Sequence, residues 1–213
     1  LQELRQRGGP HRVGWLSGSS HSLSRQITQR FLRTFGSPHD LELAPPSGEL
    51  PVDAFHLMVD QQGEPLYDLA QANFILSFGI DWLQAYPSPV EASRAYGLLR
   101  RGRVDRRVRI VQIEPRLSVT AAKSDEWIPI RPGQEGWLAL GIAHVLIRER
   151  FFHEPSVQEN ASGFEEFARF VESRATVESV AERTGVPTET IDRLAREFGL
   201  KKGLALGTQT DLL

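Results

Sequence analysis

Three short stretches hold the residue types that could do chemistry. Residues 76–81 read Leu-Ser-Phe-Gly-Ile-Asp, 113–116 read Ile-Glu-Pro-Arg, and 127–136 read Trp-Ile-Pro-Ile-Arg-Pro-Gly-Gln-Glu-Gly. Each puts a carboxylate, a glycine or both just beyond an apolar run. A glycine directly after a buried strand allows a tight turn whose backbone amides can face a phosphate. A nearby carboxylate can accept from ribose hydroxyls or from the N–H edge of guanine. Gly79 with Asp81 fits this pattern, and so does Glu114 with Arg116, where the acid would hold a nucleoside and the arginine a phosphate. Taken singly, each is an ordinary polar loop after a buried strand. Together they suggest a nucleotide-type ligand lying along the carboxyl edge of a parallel sheet.

The elements that must position these turns can be read from periodicity. Phe74 to Phe78 and Val108 to Ile113 are short, apolar and rich in branched residues, as buried strands are. Val90 to Leu99 between them reads as a helix, so the three make a crossover of parallel strands. Trp127 to Ile130 is a third strand candidate. Gly136 to Ile147 is a helix that is apolar nearly all round, which implies burial. Upstream, Arg12 to Leu16 is a strand candidate. The helix after it carries Leu23, Ile27, Phe31 and Phe35 on one face and stops at Gly36-Ser37-Pro38. Residues 40–66, rich in proline, glycine and acids, read as a loop with one apolar segment at 54–59.

Beyond residue 150 the pattern turns helical. Ser162 with Glu165 has capping-box spacing. Val177 to Arg183 and Thr188 to Phe198 are helices joined at Gly185-Val186-Pro187, and Gly203 to Gly207 reads as a strand beginning. The expected architecture is therefore α/β: a Rossmann-like parallel sheet with flanking helices over residues 1–150, then a small helical segment, 151–213, leading into a further strand.

Composition excludes several classes. The 213 residues carry no cysteine, which removes disulfides, thiolate nucleophiles and cysteine-ligated clusters from this chain. A net charge of -2 gives no global attraction to nucleic acid or an anionic membrane. No apolar run approaches the ~20 residues of a bilayer span. The chain has no Met at its first position and closes on a nascent strand, so it reads as a piece of a longer polypeptide.

Other motifs point to structure. Ser17-Gly18-Ser19-Ser20 lies between a strand and a helix and could seat an anion. It lacks a P-loop lysine, and N-capping is the simpler role. The run Arg100, Arg101, Arg103, Arg106, Arg107 and Arg109 contains Asp105 and no aromatic residue, and so reads as a solvated connection. Residues 181–194 imitate a DNA-reading helix-turn-helix, but Glu189, Asp192 and Glu197 would meet phosphates badly. The six histidines form no i, i+4 pair, and no residue of a catalytic triad or of a protein-built metal site can be named. Ser47 and Asp53 are the polar residues of the proline-rich loop that could ligate something.

At its strand-end turns the sequence resembles the molybdopterin oxidoreductases of the dimethyl sulfoxide reductase superfamily. That family shows a Gly-x-Asn-Pro-x-Glu-like loop, here Gly79-Ile80-Asp81-Trp82-Leu83-Gln84, and an Asp-Pro-Arg strand end, here Glu114-Pro115-Arg116. A Thr-x-x-Ala pattern follows, here Thr120-Ala121-Ala122. The family's Trp-x-Pro-Ile-Arg-Pro-Gly block is matched almost letter for letter by residues 127–141. Its Val-Ala-x-x-Thr-Gly-Val-Pro stretch falls in 180–198, which accounts for the DNA-like spacing, and Phe31 with Gly36-Ser37-Pro38 resembles another of its turns. His39 stands where the family has Asn.

The resemblance implies a bis(molybdopterin guanine dinucleotide) molybdenum cofactor in the parent protein. Gly79, Asp81, Gln84, Glu114, Arg116, Gly133 and Glu135 would hold its guanosine and diphosphate portions. The family's metal ligand should precede Gly79, where this chain offers Ser47 and no cysteine. Residues 67–70, 88–90 and 93–97 are similar to the branch formed by molybdopterin-type subunits of membrane-attached quinone oxidoreductase complexes, such as alternative complex III and menaquinone reductase. That branch implies two-electron redox chemistry and iron–sulfur clusters on other segments or subunits. Its partners would be the rest of the polypeptide and iron–sulfur and quinone-binding membrane subunits, with no nucleic acid. The location would be peripheral on the periplasmic face, with the cytoplasm as the alternative. Some members of the branch keep the fold as a scaffold without the metal cofactor, which is the rival expectation.

Overall fold

The computed structural model describes residues 2–18, 23–43, 58, 67–84, 88–102, 107–201 and 203–207. The chain forms two compact units, 1–64 and 65–213.

The first unit holds helix α1 (Gln2–Gln6), strand β1 (Gly14–Gly18), helix α2 (Leu23–Phe35) and strand β2 (His39–Leu43). β1 and β2 pair in parallel, Gly14 opposite His39 and Leu16 opposite Leu41. The apolar spacing of α2 buries Leu32 and Phe35 but leaves Leu23 and Ile27 exposed. Arg25 Nη1 donates to Ser17 Oγ and to Asp40 Oδ1, both at 2.7 Å, tying the helix to both strands. Ser37, in the turn before β2, donates to the Val13 carbonyl. β2 corrects the expectation of a loop from residue 40. Its Leu41 and Leu43 alternate with acids, and the prolines that follow mask that alternation in sequence. Ser19, Ser20, Ser47, Asp53 and residues 54–57 and 59 lie outside the described residues.

The second unit is built on a four-stranded parallel sheet: β3 (Phe74–Phe78), β4 (Arg109–Ile113), β5 (Glu126–Ile128) and β6 (Leu204–Gly207). The spatial order is β5-β4-β3-β6. Helix α3 (Pro89–Gly97) crosses from β3 to β4, and the short α4 (Val119–Lys123) links β4 to β5. Five helices separate β5 from β6: α5 (Glu135–Arg148), α6 (Glu154–Asn160), α7 (Phe164–Arg174), α8 (Val177–Thr184) and α9 (Thr188–Lys201). Strand order therefore reverses at β3, the type of switch point at which open parallel sheets bind ligands.

Alternation along each strand sends side chains into two cores. Phe74, Leu76, Phe78, Val111, Ile113 and Ile128 pack with α5, α7, α8 and α9. Ile75, Ile110 and Leu206 pack on the other face with Trp82, Ala92, Ala95 and Leu99. The helices after residue 150 share a core with the sheet, within the compact unit 65–213.

Two local expectations are corrected. β5 stops at Ile128 and does not run to Ile130, because Pro129 has no N–H to continue the ladder. The capping box at Ser162 does not form: Gly163 is the N-cap of α7, with φ 77° and no side-chain cap bond. Side-chain caps occur instead at Ser118, His153 and Thr176.

Three arginines of the basic run meet carboxylates. Arg100 and Arg107 both reach Asp125 at 2.7 Å, and Arg109 reaches Glu126 at 2.5 Å. The helix-turn-helix mimic is a packed pair, since α9 buries Ile191, Leu194 and Ala195.

Candidate functional site

Parallel in-register pairing fixes where the three turns go. Phe78 lies opposite Ile113, and Ile113 lies opposite Ile128, so β3, β4 and β5 end together. The ladder continues one step beyond: Gly79 N donates to the Ile113 carbonyl at 2.7 Å, and Glu114 N donates to the Ile128 carbonyl at 3.2 Å. The turns beginning at Gly79 and Glu114, and the loop leaving Ile128, therefore leave the same carboxyl edge of the sheet. Gly79 and Gly133 have φ of 68° and 73°, which a side chain would strain.

A polar network under this rim fixes the first two turns. Ser77 and Gln112 lie opposite each other in the sheet, and both are fully buried. Ser77 Oγ donates to the Ile80 carbonyl at 3.3 Å, and Gln112 Nε2 donates to the same carbonyl at 3.1 Å. Gln112 Nε2 also donates to Glu114 Oε2 at 3.0 Å. Glu114 Oε1 accepts from the Ser118 amide at 2.8 Å. Thr120 Oγ1 donates to Asp81 Oδ1 at 2.5 Å and accepts from the Leu83 amide at 3.1 Å. Trp127 Nε1 donates to the Glu114 carbonyl at 3.0 Å, joining β5 to the same assembly.

This network sorts the residues expected to bind a ligand. Glu114 is 4% exposed, and each carboxylate oxygen already has a protein donor, so it shapes its own turn. Glu135, also 4% exposed, sits in the first turn of α5, where a negative charge suits the positive end of the helix dipole. Asp81 and Gly79 are half-buried, as is Gly133, and a Cβ at Gly133 would meet nothing within 4 Å. Gln84 and Arg116 are exposed, and Arg116 has no ion pair among the described residues. The outward-facing set is thus Gly79, Asp81, Gln84, Arg116 and Gly133.

Sequence reasoning missed Ser77 and Gln112. A signal was available, for each is a polar residue at the penultimate position of its strand, flanked by apolar neighbours. It also left Arg131 without a role. Its backbone N–H donates to the Thr184 carbonyl at 3.1 Å, and its guanidinium donates to the Glu182 and Arg183 carbonyls at 2.6 and 3.1 Å. Arg131 therefore satisfies carbonyls at the end of α8 that no helical N–H can reach. Arg183 in turn lies 4.1 Å over the Trp137 ring. Blocks 127–141 and 180–198 are one packing unit.

Two hollows lie elsewhere. One of about 440 Å³ is lined by Tyr96, Gly97, Arg100, Arg101 and Arg107; the other, of about 340 Å³, lies between Asp68–Ala70 and α3. No residue of the three turns lines either. Among the described residues no group of three or more His, Cys, Asp or Glu could hold a metal ion. No described helix is long and apolar enough to cross a membrane.

The family model for molybdopterin oxidoreductase matches residues 1–191. The chain belongs to the molybdopterin oxidoreductase family. It is 32% identical over 162 residues to the arsenate respiratory reductase molybdopterin-containing subunit ArrA of Shewanella sp. (strain ANA-3), covering 75% of this chain and 18% of that one. It is 28% identical over 202 residues to the menaquinone reductase molybdopterin-binding-like subunit of Nitratidesulfovibrio vulgaris, covering 95% and 28%. Against the thiosulfate reductase subunit PhsA of Salmonella typhimurium the identity is 30% over 200 residues, covering 93% and 25%. The matched regions thus span only 18% to 28% of these relatives. Acetylene hydratase from Pelobacter acetylenicus shares the fold, with a TM-score of 0.66 at 23% identity over 99% of this chain and 28% of its own.

Membership implies a molybdenum–pterin cofactor, and the rim residues suit the polar part of such a group. Arg116 offers a guanidinium without an ion pair among the described residues, and Gly133 leaves open space. Gln112 Oε1 is buried and has no partner among the described residues, an acceptor left over within the rim network. Its amide orientation is settled by the two acceptors facing Nε2.

Proposed function

We propose that this segment binds the guanine dinucleotide portion of the molybdopterin cofactor in a larger oxidoreductase subunit. The observation that carries the reading is the convergence of the 79, 114 and 128 turns on one carboxyl rim at a strand-order reversal. When bound, the cofactor supplies two-electron redox chemistry at molybdenum. The residues of this chain hold and orient it. The glycine turns at Gly79 and Gly133 let the diphosphate approach the backbone, Arg116 neutralises it, and Asp81 and Gln84 take the hydroxyl and N–H groups of the guanosine. Asp81 keeps acceptor capacity for this, since Thr120 occupies only one lone-pair site of its carboxylate. Glu114 supports its turn from beneath.

The parent protein, in this reading, passes electrons to iron–sulfur clusters on other segments or subunits and to a quinone-binding membrane subunit. It sits peripherally on the periplasmic face. The names of its relatives, among them a menaquinone reductase subunit and a thiosulfate reductase subunit, support an electron-transfer complex.

The test is chemical analysis of the purified full-length protein. Guanine nucleotide released by acid, together with molybdenum in fixed proportion, is the expected result. A full-length protein that carries neither overturns the reading and favours a scaffold.

A further inference from the structure

We propose that Gln112 is a positioning residue that locks the 79–84 and 114–118 turns into one rigid unit, so that a ligand spanning both meets a preset rim. The inference rests on the cofactor-binding reading for what the rim holds, but the coupling itself stands on geometry.

Gln112 is the only described side chain with hydrogen bonds to both turns. Its single amide nitrogen donates to the Ile80 carbonyl and to Glu114 Oε2, spending both N–H groups on two segments more than thirty residues apart. Ser77 and Thr120 do not duplicate this role. Ser77 reaches the first turn alone, and Thr120 reaches Asp81 and Leu83, both in the first turn. Glu114 serves the second turn, and its only donor among the first turn's supports is Gln112.

The amide is an apt choice here. At the same position a carboxylate would face the Glu114 carboxylate and the Ile80 carbonyl with no proton to offer. A leucine would fill the space, leave the Ile80 carbonyl to Ser77 alone and strip Glu114 Oε2 of its protein donor, a loss that costs more than the bond itself is worth. Burial removes water as a substitute donor, because Ser77, Gln112 and Thr120 are 0%, 0% and 1% exposed. The Gln112 amide thus adds a buried side-chain tether between the two turns to the backbone bond from Gly79 N to the Ile113 carbonyl and the Thr120 contacts with the first turn.

Backbone amide exchange in the full-length protein tests the coupling. Leu83 N–H reports the first turn through Thr120, and Ser118 N–H reports the second through Glu114. Gln112→Leu should speed exchange at both by about tenfold or more, the scale of one lost hydrogen bond. Ser77→Ala should speed Leu83 and leave Ser118 unchanged. Acceleration at only one reporter in Gln112→Leu, or at neither, overturns the proposal.

Acid-released guanine nucleotide, measured on the same preparations, tests the consequence. Gln112→Leu should lose most of it, whereas Val171→Ala, a core change of similar cost to stability on the opposite face of the sheet, should keep it. Equal loss in both variants reduces Gln112 to a general stabiliser and overturns the proposal. Wild-type protein without guanine nucleotide overturns the functional reading instead, and the exchange pattern still decides the coupling.

Discussion

Glu126 on the edge strand and Arg193 on the last helix, 67 positions apart in the chain, form a two-point ion pair at 2.6 and 3.1 Å. Arg109 reaches the same carboxylate at 2.5 Å, and Glu197 joins through Arg193 and Arg109. Burial is the largest single influence and disfavours the Arg193 cation, but the hydrogen bonds and charges of Glu126 and Glu197 together outweigh it and raise the pKa above the ordinary value. The network fastens α9, and with it β6, to the far edge of the sheet. Glu126→Gln should cost about 1 kcal/mol in urea unfolding, since the pair is two-point but partly solvated. Repeating the titration in high salt should shrink the difference. An unchanged wild-type midpoint in Glu126→Gln would remove the network from the list of stabilising features.

Helices α5 and α8 approach so closely at Gly141 that a Cβ there would stand 2.8 Å from Val180 Cγ1 and 3.1 Å from Val180 Cβ. Val180 is fully buried and has no room to turn aside. Alanine gains about 1 kcal/mol of helix propensity over glycine. Overpacking a filled core costs about 1–3 kcal/mol. Gly141→Ala should therefore be destabilising overall, by about 1–2 kcal/mol in chemical denaturation. Adding Val180→Ala should cost less in that background than in wild type, because the second change relieves the clash. Strict additivity would mean that the helices separate freely at this point.

The C-terminal end of α5 is held to α9 by Glu149, which Arg196 meets at 2.8 Å and Arg148 at 3.2 Å. The Arg196 hydrogen bond is the main reason the Glu149 carboxyl lies below the ordinary glutamate range, with Arg148 adding to it against a desolvation penalty. A carboxylate whose pKa is depressed by folding stabilises the fold above its unfolded pKa and loses that contribution as pH falls through the folded one. Thermal unfolding of wild type and Glu149→Gln should thus differ at neutral pH and converge as pH drops below about 4. The effect should be modest, because both partners are near the surface. A gap that widens in acid would contradict the assignment.

Much of this fold is legible from residue pattern alone. Phe74 to Phe78, the helix after Pro89 and the run from Val108 to Ile113 announce a crossover because buried parallel strands are continuously apolar. Parallel register then sends both following turns to one edge. β2 was hidden because acids occupy its alternate positions and prolines follow it. At the site, residue type alone cannot separate a carboxylate that meets a ligand from one that meets its own loop. Glu114 looked like a ligand contact, but the fold buries it between Gln112 and the Ser118 amide. Ser77 and Gln112 read in sequence as ordinary strand residues, and their partners, the Ile80 carbonyl and Glu114, become apparent only once the turns fold back over the sheet end.

Glu114 and Arg116 should accordingly behave in opposite ways despite standing two residues apart. Glu114→Ala strands two buried donors, Gln112 Nε2 and the Ser118 amide, and should cost about 2–4 kcal/mol in unfolding free energy. Arg116 is exposed and without an ion pair among the described residues, so Arg116→Ala should move stability by less than about 0.5 kcal/mol. In the full-length protein, however, Arg116→Ala removes the rim's free positive charge. The guanine nucleotide it retains should fall several-fold, and more steeply at high ionic strength, where the remaining phosphate contacts are screened. Arg116→Lys should restore part of that retention by keeping the charge while losing the two-point geometry. If Arg116→Ala destabilises the protein as much as Glu114→Ala, or retains nucleotide undiminished, then the guanidinium is spent inside the fold and the outward-facing half of the rim has been assigned to the wrong residue.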